Sequence, residues 1–175
     1  MATEVFSQEE TGTLRTLLEK VKAAGGFWPD EATMRLAHGT VSRWATELVI
    51  DRRNKNHKPE ILLAKYGGGA EEFRGLWHIP GGYDTFDLGI PENCNVVAGR
   101  ELGIGVRYIC TLDVYKWEPG EHPYGRPLSV FTYCEAVGQI TETEKLCFFQ
   151  PDSLPARMVE PHRRFIIEHY GQPRD

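Results

Sequence analysis

Residues 77–106 read WHIPGGYDTFDLGIPENCNVVAGRELGIGV, and the organisation of the chain follows from them. A short apolar strand, LWHI, runs into Pro80 and the glycine pair Gly81-Gly82. Glycines let a backbone turn sharply and approach another group closely. Pro91 fits the first turn of a helix, where its missing N–H is not needed. The helix is expected to run to about Leu102, with Cys94, Val97, Ala98 and Leu102 on one buried face and Gly103 beyond its end.

The spacing within this stretch resembles the Nudix box: a glycine, five residues, Glu, seven residues, Arg-Glu, an apolar residue, one residue, Glu-Glu, one residue, Gly and a final apolar residue. With the first glycine set on Gly82, Gly103 and Ile104 take the two closing positions, and the register holds over 23 positions. The acids are mostly replaced. Leu88 stands at the first Glu, Val96-Val97 at Arg-Glu and Arg100-Glu101 at Glu-Glu, so one acidic residue of four remains. The tail FFQPDSLPARMVEPHRRFI is similar to the segment that closes many Nudix domains. The resemblance implies an α/β fold in which a mixed β-sheet is sandwiched between α-helices.

Outward from the box, SRWATELVI (42–50) and EILLAKY (60–66) read as strands flanking a polar loop, most simply a hairpin. VRYICTLDVYKW (106–117) and LSVFTYCEAV (128–137) are strong strands separated by a turn-rich loop. KLCFF (145–149) is a shorter strand, and residues 159–170 form a terminal helix with Pro161 in its first turn. Near the N-terminus, Ser7 and Glu10 make a capping box. Leu14, Leu17, Leu18 and Val21 follow as one apolar stripe ended by Gly25-Gly26. Phe27-Trp28-Pro29 then form an apolar corner before a second short helical stretch near 30–36. Residues 1–38 are therefore read as a helical extension, packing on the domain or on a second subunit in a homodimer. Residues 39–175 are read as the Nudix-like domain.

The bulk properties narrow the partners. With 175 residues, 41% of them hydrophobic, the chain can build one domain with a proper core. Its net charge is −5 and it has no basic block, which argues against a nucleic-acid backbone as partner. The apolar runs are too short to span a bilayer, so no membrane partner is expected. No secretory signal is visible, and Cys94, Cys110, Cys134 and Cys147 lack CxxC spacing. A cytoplasmic protein with reduced, buried thiols is expected.

Nudix hydrolases cleave a nucleoside diphosphate linked to another group. The resemblance implies such a small-molecule substrate, with Mg²⁺ or Mn²⁺ to neutralise the diphosphate. These cations take oxygen ligands. Glu101 matches a metal ligand of the family; an ion pair with Arg100 or Arg107 is its plain structural alternative. Arg100 suits direct contact with phosphate, and Gly81 and Gly82 suit close approach of the substrate. The GDP-mannose mannosyl hydrolase branch also has a damaged box, keeps the last glutamate of this pair, and completes a single-metal site with a strand carboxylate and a late-loop residue. On that precedent Glu47 and Glu142 join Glu101 as the expected cation ligands. An exposed position on an edge strand is an equal alternative for Glu47, and a solvated loop is the simpler reading of Glu142 and of Glu144. The arginine positions which that branch uses for phosphate are Tyr83 and Val96 here, so GDP-mannose itself does not follow. Arg74 and Arg126 are candidate replacements, and Asp84, Asp87 and Glu92 are candidate displaced acids. Trp77, Tyr83, Trp117 and Tyr124 are candidates to stack on a base or sugar, and His78 and His122 are candidate bases. The hydrolase is the expected function; the degenerate box also allows, as the alternative, a Nudix fold that binds a nucleotide or a protein without hydrolysing it.

Overall fold

The computed structural model describes residues 7–23, 30, 32–33, 36, 43–67, 71–85 and 87–171. Two four-stranded sheets and three helices are built from them. Helix α1 (Gln8–Ala23) begins with the expected capping box: Glu10 N–H donates to Ser7 Oγ at 3.2 Å and Ser7 N–H to Glu10 Oε2 at 2.8 Å. Its Leu14, Leu17 and Leu18 are exposed. The corner at 27–29 lies outside the described residues, as do 31, 34 and 35 of the expected second helical stretch.

The first sheet has the order β5-β1-β7-β6, formed by β5 (Gly81–Tyr83), β1 (Trp44–Val49), β7 (Leu128–Val137) and β6 (Gly105–Lys116). It is mixed: β1 runs parallel to β7 and antiparallel to β5, and β6 is antiparallel to β7. In the second sheet β3 (Pro59–Lys65) pairs with β8 (Leu146–Phe149), with β2 (Asp51–Arg53) near its start and with β4 (Trp77–His78) near its end.

The expected hairpin between 42–50 and 60–66 is not formed as a single pair. The chain changes sheets at buried Ile50, whose carbonyl accepts from Leu62 N–H at 2.9 Å. β1 continues into the first sheet, and the first three residues of the expected polar loop become β2, the true partner of β3. Burial explains the split. β1 lies between two strands and is buried from Ala45 to Val49, whereas Arg52 and Arg53 of β2 stay exposed.

The period-2 alternation of strands divides the core into two layers. Leu48 and Leu62 pack with Cys94, Val97 and Ala98 of helix α2 (Ile90–Leu102). Val49, Ile61 and Leu63 point the other way, with Phe131, Phe165 and Ile166, the last two from helix α3 (Glu160–Tyr170). α2 ends at Gly103, whose φ of 68° is a left-handed conformation natural to glycine. The thiol expectation holds for Cys94 and Cys134, which are buried, but Cys147 is half-buried and Cys110 is exposed on β6, at the sheet edge. No helix among the described residues is long and apolar enough to cross a membrane.

The second layer is anchored by Phe131, which is 1% exposed and stacked on Phe165 with ring centroids 4.0 Å apart. Phe131→Ala removes this ring from a closed site and is expected to cost about 3–5 kcal/mol of stability. Urea denaturation checks it; a loss below about 1 kcal/mol would contradict the packing described.

Candidate functional site

Glu47 occupies the middle of β1, paired with Gly81 of β5 on one side and Phe131 of β7 on the other. It is 5% exposed. Its place is therefore the buried centre of a sheet and not an exposed edge. A buried carboxylate needs partners, and Ser129 Oγ donates to Glu47 Oε1 at 2.8 Å. Trp117 Nε1–H in turn donates to Ser129 Oγ at 2.9 Å. Oε2 lies against Gly81, where a Cβ would overlap the carboxylate. Burial pushes the Glu47 pKa up to about 7 against the pull of the Ser129 hydroxyl, and the charges of Asp84 and Glu101 push the same way.

Glu47 opens onto a cavity of about 360 Å³. Gly81, Gly82, Arg100 and Glu101 share its wall, so five of the six expected site residues meet there. The sixth does not. Glu142 forms an ion pair with exposed Arg52 at 2.7 Å and accepts Phe148 N–H at 3.1 Å. Those bonds hold it at the β8 end of the second sheet, away from the cavity, so the expected triad of Glu47, Glu101 and Glu142 is not assembled. Among the described residues no group of three or more His, Cys, Asp or Glu comes together as a metal cage.

Arg100 and Glu101 leave the last turn of α2 side by side. Arg100 Nε–H donates to Glu101 Oε1 at 2.9 Å, and its Nη2 donates to the Gly81 carbonyl at 3.3 Å. Gly82 makes room for the guanidinium, since a Cβ there would overlap it. Both readings of Glu101 thus have a physical basis: it is paired with Arg100, and it faces the same cavity as Glu47. The like-charge pressure of Glu101 and Asp84 on Glu47 is the kind of strain that a cation relieves. Two carboxylates fit an ion such as Mg²⁺, which keeps several waters and fills its shell from substrate phosphates.

Part of the lining is aromatic. Phe73, Tyr83, Trp117 and His122 form this part, with Trp117 and His122 edge to face at 4.8 Å. Trp77 instead packs on Phe149 at 4.9 Å in the core, and Tyr124 is buried beside His122. Of the other arginine candidates, Arg126 is tied to the Trp117 carbonyl and Glu118. Of the loop acids, Asp84 accepts from Thr46 Oγ1 at 2.7 Å, and Glu92 sits in the first turn of α2, where a helix dipole favours it. His78 lines the cavity and is held neutral by burial, which lowers its pKa.

Two residues of the site escape a motif-based reading. Ser129 is a hydroxyl in the apolar run LSVF, one strand across from Glu47. His162 follows Pro161 in the first turn of α3, and its spacing to Phe165 and Ile166 places it on that helix's buried face.

No protein-family model matches the chain, and no curated protein matches it. Solved structures do. A MutT Nudix hydrolase from Burkholderia pseudomallei superposes with a TM-score of 0.58 at 21% identity, over 73% of this chain and 97% of that one. A UDP-X diphosphatase gives 0.57 at 18%, over 95% and 87%. A bifunctional NMN adenylyltransferase/ADP-ribose pyrophosphatase from Francisella tularensis, solved with AMP and manganese, gives 0.55 at 15%, over 79% and 46%.

The pKa of Glu47 makes stability depend on pH in a defined sense. Between its ordinary value near 4.5 and about 7, the folded protein keeps a proton that the unfolded chain releases, so stability falls as pH rises through that window. Glu47→Gln removes the titration. Relative to the variant, the native chain is expected to lose about 3 kcal/mol between pH 4 and pH 8. Urea denaturation at both pH values tests this, and parallel stability curves would contradict it. Carried by its mixed sheet between helices and by these superpositions, the chain has the Nudix fold.

Proposed function

We propose that this chain is a divergent Nudix-type hydrolase that cleaves a nucleoside diphosphate linked to another group, nucleotide sugars among the substrates to test. The observation that carries the reading is the meeting of Glu47 and Glu101, from a central strand and a helix end, across one cavity that Arg100 also lines. Neighbours in fold support it. Their names specify ADP-ribose and UDP-linked substrates, and one was solved with manganese.

In this reading Glu47 and Glu101 would hold one Mg²⁺ or Mn²⁺. The bound cation would neutralise phosphate charge and lower the barrier to attack by water. Hydrolysis adds water across a P–O bond: one phosphoryl group gains the hydroxyl oxygen and the other fragment leaves with the bridging oxygen. Arg100 swings from Glu101 to a phosphate oxygen, which exchanges one charged partner for another and frees the Glu101 carboxylate. Trp117 and Tyr83 supply faces for a base or sugar. The chain would act on a dissolved small molecule, alone or as a homodimer in which residues 1–38 contribute a contact face.

A second reading, a nucleotide-binding module without turnover, is favoured by one specific contact. The guanidinium of Arg100 already spans Glu101 Oε1 and the Gly81 carbonyl. It supplies positive charge beside the acid that would otherwise face a metal.

Turnover of a panel of nucleoside diphosphate sugars and ADP-ribose with Mg²⁺ or Mn²⁺ separates the two. The hydrolase reading predicts product from the native chain, a drop of at least about 100-fold in Glu101→Gln, and none in EDTA. The binding reading predicts no product from either, with ligand affinity unchanged by EDTA and lowered by Arg100→Ala.

A further inference from the structure

His162 is 4% exposed and lines the cavity beside Glu47. Its hydrogen bonds fix its chemistry. Ile79 N–H donates to His162 Nδ1 at 3.0 Å. A ring nitrogen that accepts carries no proton, so the neutral ring has its hydrogen on Nε2. Burial, reinforced by the nearby rings of His78 and His122, holds the pKa of His162 well below its ordinary value and keeps it neutral. Phe131 and Trp117 clamp the ring plane edge to face, at 5.6 and 5.8 Å.

The Nε2–H is thus a donor with a fixed direction. It is buried and, among the described residues, has no hydrogen-bond partner. Glu47 Oε1 lies 3.8 Å away, too far to accept directly. One oxygen about 2.8 Å from each atom would bridge this separation. That oxygen must accept from Nε2–H and donate to Oε1. An ionised phosphate oxygen has no proton to give to Oε1, which already accepts from Ser129, and is repelled whenever Glu47 is ionised. An amine or amide N–H cannot accept. An O–H group does both.

We propose that His162 and Glu47 together hold one O–H oxygen at the buried wall of the cavity, with His162 donating to it and Glu47 accepting from it. The inference rests on the nucleoside diphosphate reading for its two sources: a sugar hydroxyl of the ligand, or the water that attacks the diphosphate. His162 is a positioning residue in the second case and a ligand contact in the first. In either case the pair gives the site a way to recognise a hydroxyl next to a phosphate subsite, which Arg100 serves.

Two substitutions separate this role from a structural one. Asn places its amide oxygen near the position of Nδ1, keeping the acceptor for Ile79 N–H while removing the donor. Gln does the reverse, keeping a donor near Nε2 and losing the acceptor. A purely structural His162 makes Asn the milder change, whereas the proposal makes Gln the milder one for function. ADP-ribose binding by calorimetry and its turnover are measured with Mg²⁺ for the native chain, His162→Asn and His162→Gln. A loss of ADP-ribose affinity of about 10-fold or more in Asn, largely restored in Gln, supports the proposal and assigns the O–H to the ligand. Unchanged KM with kcat lowered by a similar factor in Asn supports it and assigns the O–H to water. Native affinity and turnover in Asn, or a greater functional loss in Gln than in Asn, overturn it.

A ligand-free measurement keeps failure of the proposal distinct from failure of the functional reading. In ¹⁵N-labelled native protein, imidazole spectra at pH 6–8 are expected to give His162 as the Nε2–H form, with a cross-relaxation peak from that proton to a bound water. This result supports the O–H pairing even if nothing in the nucleotide panel binds, which would defeat the hydrolase reading alone. A proton on Nδ1, or an Nε2–H with no water peak in the ligand-free protein, overturns the pairing.

Discussion

A carboxylate placed in the middle of a β-sheet is the constraint on which this site depends. Glu47 sits between β5 and β7, where an unpaired ionised acid is strongly disfavoured. The surrounding residues answer that constraint one by one. Gly81 has no side chain, so the carboxylate can lie against its backbone. Ser129 supplies a hydroxyl from the neighbouring strand, itself oriented by the Trp117 indole. His162 comes from α3 on the same side of the sheet. His162 is held against Phe131 on the helix that also carries Phe165 and Ile166, so the second hydrophobic layer supports this side of the site.

Charge balance decides what such a site can do. Asp84 and Glu101 both press on Glu47, and Arg100 lines the same cavity. Arg100 is half-exposed, and its pair with Glu101 is exposed enough to exchange with solvent or ligand at small cost. In the proposed reading, Arg100 latches one of the two carboxylates that would hold a cation. An incoming diphosphate is the natural key, because it offers Arg100 a stronger bidentate partner than the Glu101 carboxylate and brings oxygens of its own to a metal. Substrate and cation would bind together more tightly than either alone.

Much of this was legible in the sequence. The helix over Ile90–Leu102 follows from Pro91, the apolar spacing of Cys94, Val97 and Ala98, and Gly103. The strands 105–116 and 128–137 follow from long β-branched and aromatic runs. The register of Glu101 and the oddity of an acid within ATELVI both pointed to the cavity. What the sequence hid is three-dimensional. A continuous run through Ile50 does not announce that the chain leaves one sheet for another, so β1 and β3 looked like a hairpin. Glu142 looked available because its partner, Arg52, is 90 residues away in sequence. Cys110 looked buried because an edge strand carries the same apolar residues as a central one. His162 belongs to no motif; its signal is a polar ring at the i position of an apolar i, i+3, i+4 face, which acquires meaning only once Glu47 is known to lie opposite.

The most direct test of the site is anomalous diffraction from crystals grown with Mn²⁺ and a non-hydrolysable ADP-ribose analogue. A single manganese peak within coordination distance of both the Glu47 and Glu101 carboxylates, with Arg100 moved onto a phosphate, is the predicted result. A bound analogue with no manganese in the cavity, and Arg100 still paired with Glu101, would contradict it.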